Sequence, residues 1–323
     1  MTFPVIHSTL DPTALTAEIE RRYALPAPVR CRLISRANND FYEVRASEAR
    51  YALRVAKADF WPAGAYNYEL DLTAHLATAG CRVPVPIPAR DGTRLFTLEA
   101  PEGIRTVTLA SWLDGKSYTK SLNIDDARDL GGVLAALHRA GAGFASAHAR
   151  PISNATHIAQ HMPALADMLA GQSADRAFYI AAGEAVRASY AAIDPAKVPA
   201  GPVHGDFQFA NVLKDGEGRI GALDFDTCGE GFLAEDIFTF VWRADMEIGD
   251  PRVVEAFLAG YNAVRPLSAG EAPCLPLFRA ARDLVMCTAY AILINRVGPV
   301  SGFEGDFAAF TAQARRHLKE AGL

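Results

Sequence analysis

The chain has 323 residues, of which 50% are hydrophobic and 21% are charged, a balance typical of a globular protein with a substantial core. Its formal net charge of -5 at pH 7 argues against a nucleic-acid partner, because such partners select strongly basic surfaces. The five cysteines lack C-x-x-C spacing, so the sequence predicts neither a disulfide framework nor a zinc site and favours a reducing compartment.

The N-terminus and the apolar runs predict a cytoplasmic protein with no membrane partner. The first residues lack a basic segment followed by a long apolar one, so we expect no signal peptide. The most apolar tract, residues 284–294, is interrupted by Thr288 and is shorter than the ~20 residues that a membrane-spanning helix needs. The oligomeric state is left open.

The first third of the chain predicts a small antiparallel sheet with one long helix inserted after its third strand. A first helix opens at Asp11-Pro12, where aspartate is a favourable cap and proline suits the first helical position. A second helix is predicted from Pro62 to just before Gly80. The predicted strands are rich in Val, Leu, Ile, Tyr and Phe and cover residues 30–35, 41–46, 51–56, 94–99 and 105–112.

The remainder predicts mostly helices, interrupted by one short hairpin at residues 212–224. Helices are expected at residues 125–139, 157–169, 175–192 and after 235, with a break near Pro273 and Pro276. The fold class is therefore α+β, with an N-terminal lobe at residues 1–112 and a mainly helical C-terminal lobe at residues 113–323.

Three polar residues that suit phosphoryl transfer, Asp206, Asn211 and Asp224, lie at fixed intervals in the second half of the chain. His204, Asp206 and Asn211 match the spacing of the kinase catalytic loop H-R-D-x-x-x-x-N, and Asp224 follows where D-F-G is expected. A glycine replaces the template arginine, and an aspartate replaces the final glycine. Any one of these residues alone is typical of a polar turn, but the three together predict the active site of an ATP-dependent phosphotransferase.

The chemistry gives each of these residues a role. Asp206 would accept the proton of the attacking hydroxyl group. Asn211 and Asp224 offer neutral and anionic oxygen ligands to Mg²⁺, which takes few protein ligands when nucleotide phosphates complete its shell. His204 is expected to fix the loop by hydrogen bonding to the backbone rather than to move a proton.

Two upstream residues fit the same template. Arg54 occupies the predicted third strand, where kinases place the lysine of V-A-I-K on the phosphates. Lys57, three residues later, is an alternative for that role. Glu69 lies in the following helix, where the carboxylate partner of the basic residue is expected, although a solvated helical glutamate is an equal interpretation.

Two other patterns predict ordinary structure. Residues 216–221 satisfy G-x-G-x-x-G, but they open a strand instead of a helix, so we interpret them as a hairpin turn. His157 and His161 have helical metal-ligand spacing without a third ligand in view, and we interpret them as surface or packing histidines.

With these motifs the sequence resembles the aminoglycoside phosphotransferase and choline kinase superfamily, small-molecule kinases with a protein-kinase-like bilobal fold. The resemblance extends from Leu33 to Phe240 and is carried by residues 38–44, 134–138, 204–211, 223–226 and 235–237. Residues 38–44 are similar to the family's nucleotide loop, and residues 134–138 are similar to the helix that precedes its substrate region. Arg54 departs from the lysine of many members.

The resemblance implies the donor, the metal and several contacts. It implies ATP or GTP with Mg²⁺, Asp206 as the base, and Asn211 and Asp224 as metal ligands. Asp236 would be a buried acidic residue that supports the catalytic loop. The segment 108–113 would be the hinge that contacts the nucleobase, at Ala110 and Trp112.

The acceptor is the open question. Family acceptors include antibiotics, choline, homoserine and, in one branch, protein serine or threonine, and we expect the hydroxyl group of a small molecule. Residues 58–62 are similar to the stress-response and homoserine-kinase-like branches. The acidic residues Asp245, Glu247 and Asp250 either attract a cationic acceptor or belong to a solvated loop. A protein kinase and a nucleotide-binding pseudokinase are the alternatives.

Overall fold

The computed structural model describes residues 3–36, 39–58, 60–62, 64–118, 122–148, 150–297 and 304–323. Asn38 of the predicted nucleotide loop and Asp59 of segment 58–62 lie outside these residues. The chain forms two compact units, and neither is one continuous stretch of sequence. The first unit comprises residues 1–116, 144–149 and 213–226, and the second comprises residues 117–143, 150–212 and 227–323.

The first unit contains a five-stranded antiparallel sheet with the strand order β1-β2-β3-β5-β4. Its strands are β1 (Val29–Arg36), β2 (Asp40–Ala46), β3 (Ala49–Val55), β4 (Leu95–Ala100) and β5 (Gly103–Ser111). All five were predicted from the sequence. Buried side chains of β2 and β3, among them Tyr42, Val44, Leu53 and Val55, form the core of this sheet.

Two helices accompany the sheet. Helix α1 (Pro12–Arg22) is capped by Asp11, whose side chain accepts a 2.7 Å hydrogen bond from the backbone N–H of Thr13. Residues Leu15 and Ile19 of α1 are buried against the sheet. Helix α2 (Ala65–Thr78) begins three residues after the predicted start at Pro62 and carries Glu69 on its buried side.

A second small sheet pairs three short strands in the order β6-β8-β9, namely β6 (Lys116–Ser117), β8 (Val212–Lys214) and β9 (Ile220–Ala222). The Asp215 carboxylate closes the turn between β8 and β9, because it accepts 2.9 Å hydrogen bonds from the backbone N–H groups of Glu217 and Arg219. The G-x-G-x-x-G match is therefore a hairpin turn, as predicted.

The second unit is mainly helical. Its helices are α3 (Ile124–Ala140), α4 (Asn154–Met168), α5 (Ser173–Ala191), α6 (Leu233–Glu247), α7 (Pro251–Val264), α8 (Leu275–Val297) and α9 (Glu304–Glu320). A two-stranded sheet of β7 (Ala200–Val203) and β10 (Gly229–Phe232) was not predicted, because β7 contains a glycine and a proline and β10 contains two glycines, residues that are rare in strands. Among the described residues, none of the helices has the length and apolar character required to cross a bilayer.

Glycine allows α3 and α7 to approach closely. A Cβ atom on Gly131 would lie 1.9 Å from the carbonyl oxygen of Phe257, and one on Gly260 would lie 1.9 Å from that of Arg128. Only residues without a side chain fit such backbone contacts. The close approach positions His138 of α3 beside Tyr261 of α7, with 2.8 Å between Nδ1 and the hydroxyl oxygen.

Candidate active site

The predicted catalytic loop, residues 204–211, is anchored to helix α6 by Asp236. This carboxylate is 2% exposed and accepts hydrogen bonds from the backbone N–H groups of His204 at 2.5 Å and Gly205 at 2.7 Å. The Nε2 atom of His138 lies 3.2 Å from Asp236 Oδ2. Asp236 is thus the buried acidic residue under the loop that the family resemblance implied.

Buried polar groups keep the Asp236 carboxylate ionised. Burial by itself would raise the pKa of Asp236, but the hydrogen bond and charge of His138, together with His204, hold that pKa below its ordinary value. On its other side, His138 contacts the Tyr261 hydroxyl, which also accepts a 2.9 Å hydrogen bond from Arg265. An ionised acceptor with two backbone donors holds the loop more firmly than a neutral one would.

The residue between His204 and Asp206 must be glycine. Gly205 has a φ of +80°, and a Cβ atom there would lie 2.3 Å from the carbonyl oxygen of Thr227. Both the left-handed backbone and the close contact exclude larger residues. This explains why the arginine of the H-R-D template is absent from the loop.

The two loop residues predicted to act on the phosphoryl group are brought together. Asn211 Nδ2 donates hydrogen bonds to the backbone oxygen of Asp206 at 2.9 Å and to its Oδ2 at 3.1 Å. Because Nδ2 is committed to Asp206, Oδ1 is the atom of Asn211 that can ligate a cation. The Asp206 side chain is 34% exposed, so an acceptor molecule can reach it.

A third side chain that the sequence did not reveal completes this group. Arg282 of α8 donates from Nη2 to Asp206 Oδ1 at 3.1 Å and from Nη1 to the Gly205 carbonyl oxygen at 3.5 Å. Its side chain is only 12% exposed. Arg282 follows Asp206 by 76 residues in an ordinary helical pattern, so no local signal marked it.

In the first unit, Asp224 has an unusual backbone conformation. Its φ of +61° lies in the left-handed region, which is rare for a residue with a side chain and common at functional sites. The neighbouring Asp226 is 7% exposed, and its Oδ2 accepts a 2.6 Å hydrogen bond from Asn39 Nδ2. Its backbone oxygen accepts a 2.8 Å hydrogen bond from Trp61 Nε1. These contacts fix the strained turn and explain the aspartate in place of the template glycine.

Arg54 and Glu69 form the pair that the kinase template suggested. The guanidinium group donates from Nη1 to Oε1 at 2.6 Å and from Nη2 to Oε2 at 2.8 Å, and both residues are buried. Burial by itself would lower the pKa of Arg54, but Glu69, Asp226 and Asp224 together raise it above its ordinary value. Lys57 follows β3 and donates its backbone N–H to Asn39 Oδ1 at 3.2 Å.

The predicted hinge coincides with the end of strand β5. Ala110 pairs with Ala52 of β3, and Trp112 follows the last residue of the strand. The Arg50 guanidinium carbon lies 4.8 Å from the centre of the Trp112 ring. Both hinge residues are half-buried, and their contact with a nucleobase stays a prediction.

The other sequence features have local partners. His157 and His161 are in contact, with tilted rings whose centres lie 4.5 Å apart, and burial lowers the pKa of His157 to about 4, which suits packing histidines. Asp245 pairs with Arg279 at 2.6 Å, Glu247 pairs with Arg243, and Asp250 caps α7. Asp245 and Glu247 lie in α6 and not in a solvated loop, and these local pairs argue against a site that attracts a cationic acceptor.

Residues 30–274, most of the chain, match the model of the family described as "Phosphotransferase enzyme family". The chain belongs to this family. The predicted superfamily is thereby confirmed, and the protein is a kinase.

Relatives of this phosphotransferase are identical to it at about one third of the aligned positions. It is 32% identical over 287 residues to an uncharacterized protein of Deinococcus radiodurans, covering 87% of this chain and 82% of the relative. It is 33% identical over 235 residues to a homoserine kinase of Mesorhizobium japonicum, covering 70% of this chain and 67% of that enzyme.

Solved structures confirm the predicted fold of the phosphotransferase. The microcompartment-associated aminopropanol kinase has a TM-score of 0.67 at 24% identity, covering 96% of this chain and 99% of the other. An amicoumacin kinase, solved with AMP-PNP, Ca²⁺ and its antibiotic, has a TM-score of 0.74 at 16% identity, covering 96% and 94%. The α+β, protein-kinase-like fold is therefore correct.

Proposed function

We propose that the protein transfers the γ-phosphoryl group of ATP to a hydroxyl group of a small molecule, with Asp206 as the general base. The observation that supports this most directly is the contact between Asp206 and Asn211 in a loop that Asp236 anchors. Phosphoryl transfer depends on positioned charges more than on covalent chemistry, and a loop held in this way provides such positioning.

Asp206 is oriented by two donors, Asn211 at Oδ2 and Arg282 at Oδ1. In the proposed reaction the acceptor oxygen bonds to the γ-phosphorus as its proton passes to Asp206. The bond from phosphorus to the bridging oxygen breaks, and ADP leaves with the electron pair. A positioned base of this kind contributes about 10²–10⁴-fold to the rate.

Asn211 and Asp224, which flank the β8–β9 hairpin in sequence, are the proposed ligands of Mg²⁺. One amide oxygen and one carboxylate match the hard oxygen donors that this ion prefers. Two observations support this assignment. The Nδ2 atom of Asn211 donates a hydrogen bond to Asp206, and the backbone of Asp224 is left-handed. When bound, the ion supplies neutralisation of phosphate charge.

On the nucleotide side we propose that Arg54, supported by Glu69, contacts the phosphates and that Ala110 and Trp112 line the nucleobase site. Arginine can replace lysine because its planar group binds phosphate bidentately. The donor would be ATP, with GTP as an alternative that the same backbone contacts permit. The free thiols and the need for ATP favour a cytoplasmic protein.

The acceptor class follows from the relatives. The homoserine kinases are named for a compact hydroxy amino acid and the aminopropanol kinase for a compact amino alcohol, and we propose an acceptor of this size. A panel containing L-homoserine, 3-aminopropan-1-ol, choline, an aminoglycoside and a serine-rich protein, measured by ADP release, would identify it. If only the protein responds, the small-molecule proposal is wrong.

The role of Asp206 is tested by Asp206→Asn, which keeps the size of the side chain but removes its basicity. We expect the turnover number to fall by about 10²–10⁴-fold with ATP binding retained. Asp167→Asn, on the exposed face of α4, is the matched control and should leave both unchanged. If Asp206→Asn and Asp167→Asn had equal turnover numbers, Asp206 would not be the general base.

A further inference from the structure

Arg282 carries a charge that the catalytic motif does not require. It projects from α8 toward the catalytic loop and contacts Asp206 at 3.1 Å and the Gly205 carbonyl oxygen at 3.5 Å. The second of these distances is at the outer limit of a hydrogen bond. Among the described residues, its buried Nε atom has no hydrogen-bond partner. A guanidinium group offers five N–H donors, and among the described residues those of Arg282 bond only to Asp206 and Gly205.

The charged groups around Arg282 do not fully neutralise its positive charge. Arg282 also influences Glu235 of α6, an acidic residue whose pKa is raised by burial to about 7. At neutral pH Glu235 is therefore only partly ionised. His157 of α4, which Arg282 also influences, is neutral because burial lowers its pKa to about 4. Asp206 is consequently the main anionic partner of Arg282 in the second unit.

This pairing conflicts with the proposed reaction. When Asp206 accepts the hydroxyl proton it becomes neutral, and the positive charge of Arg282, 12% exposed, would lose its main partner. An unpaired, largely buried charge is costly. A second anion beside Arg282 would remove this cost, and an anion on the acceptor would arrive at the step where it is needed.

We propose that Arg282 binds a carboxylate group of the acceptor, so that the substrate is a hydroxy acid or hydroxy amino acid and not a simple amino alcohol. The bound carboxylate takes the N–H groups of Arg282 in a bidentate pair, the geometry that arginine favours. Asp206 Oδ1, released from Arg282, then accepts the proton of the acceptor hydroxyl. Arg282 thereby determines specificity and also releases the base only when the correct acceptor is bound.

This inference rests on the proposed kinase activity, and a matched pair of acceptors tests it separately. L-Homoserine and 3-aminopropan-1-ol differ only by the carboxylate group. We expect the wild type to show a kcat/KM on the order of 10–100-fold higher for L-homoserine, the range for a hydrogen-bonded charged group. In Arg282→Gln that ratio should fall to about threefold or less, mainly through a higher KM for L-homoserine.

Two further variants separate recognition from folding. Arg282→Lys keeps the charge without the bidentate geometry, and it should recover part of the preference. Arg279→Gln, one turn earlier on α8, removes an arginine that pairs with Asp245, and it should leave the ratio unchanged. Thermal melts of all variants show whether each is folded.

Three results would overturn the inference. The first is an Arg282→Gln variant that loses rate equally with both acceptors, since Arg282 would then act only through Asp206 or the phosphoryl group. The second is a wild type without preference for the carboxylate. The third is turnover of only those panel acceptors that lack a carboxylate, which would leave the kinase proposal intact. If no acceptor is phosphorylated, the kinase proposal fails, and calorimetric binding of L-homoserine to wild type and Arg282→Gln still decides the role of Arg282.

Discussion

Glu235 gives a prediction in which the effect of a substitution on stability depends on pH. Its side chain lies at the start of α6 and is 7% exposed. Burial raises its pKa from 4.5 to about 7, although the Tyr190 hydroxyl, the Asn154 backbone and Arg282 each oppose this rise. Within the described residues, its Oε1 atom has no well-aligned hydrogen bond. The folded protein therefore favours the protonated, neutral form of Glu235.

The size of the effect on folding free energy follows from the shift in the pKa of Glu235. A rise from 4.5 to about 7 corresponds to roughly 3 kcal/mol of folding free energy. Because the pKa is raised on folding, this contribution is fully present below pH 4.5 and is lost as the pH rises through 7. Above that pH an ionised carboxylate is buried without adequate partners.

We therefore expect the effect of Glu235→Gln, which is neutral at every pH, to grow from one end of this range to the other. Near pH 5 the variant should match the wild type to within about 1 kcal/mol, because Gln resembles the protonated carboxyl group. At pH 8 it should be more stable than the wild type by up to about 3 kcal/mol. Urea denaturation at both pH values measures the two free energies of unfolding.

The control is Glu255→Gln, an exposed glutamate on α7. Its effect should stay within about 0.5 kcal/mol at both pH values, as is usual for surface substitutions. If Glu235→Gln changed stability by the same amount at pH 5 and pH 8, Glu235 would not titrate differently in the folded and unfolded states. A variant less stable than the wild type at pH 8 would refute the reasoning outright.

Two further predictions concern packing and the nucleotide. Gly131→Ala should destabilise the protein by at least about 3 kcal/mol, because its Cβ would lie 1.9 Å from a backbone oxygen. The control is Gly132→Ala, whose Cβ would have no contact closer than 3.8 Å, and it should change stability little. Thermal melts of both variants measure the difference. Arg54→Gln should weaken ATP binding about 10–100-fold in calorimetry, and Lys57→Gln less than threefold, because Arg54 is the side chain held by Glu69. A larger loss of ATP affinity in Lys57→Gln than in Arg54→Gln would show that Lys57 is the residue that contacts the phosphates.

Local sequence was sufficient for the elements and for the motif. The enrichment of Val, Leu, Ile, Tyr and Phe in short runs predicted all five strands of the main sheet, because such side chains suit a half-buried strand whatever the partner strand is. The spacing of His204, Asp206 and Asn211 predicted the catalytic loop, because a short loop holds its side chains at distances set by the backbone itself. Only the family resemblance predicted that Asp236 supports the catalytic loop.

Tertiary structure decided which side chains meet. The pairing of β7 with β10 could not be predicted from two four-residue strands of low strand propensity, since each is stabilised by its partner strand. Arg282 follows Asp206 by 76 residues, and only the packing of α8 brings its charge to the loop. The left-handed backbone of Asp224 and the 3% exposed Asn39 beside Asp226 likewise depend on contacts across the fold. Short-range patterns fix local geometry, but contacts between distant segments are determined only when the whole chain packs.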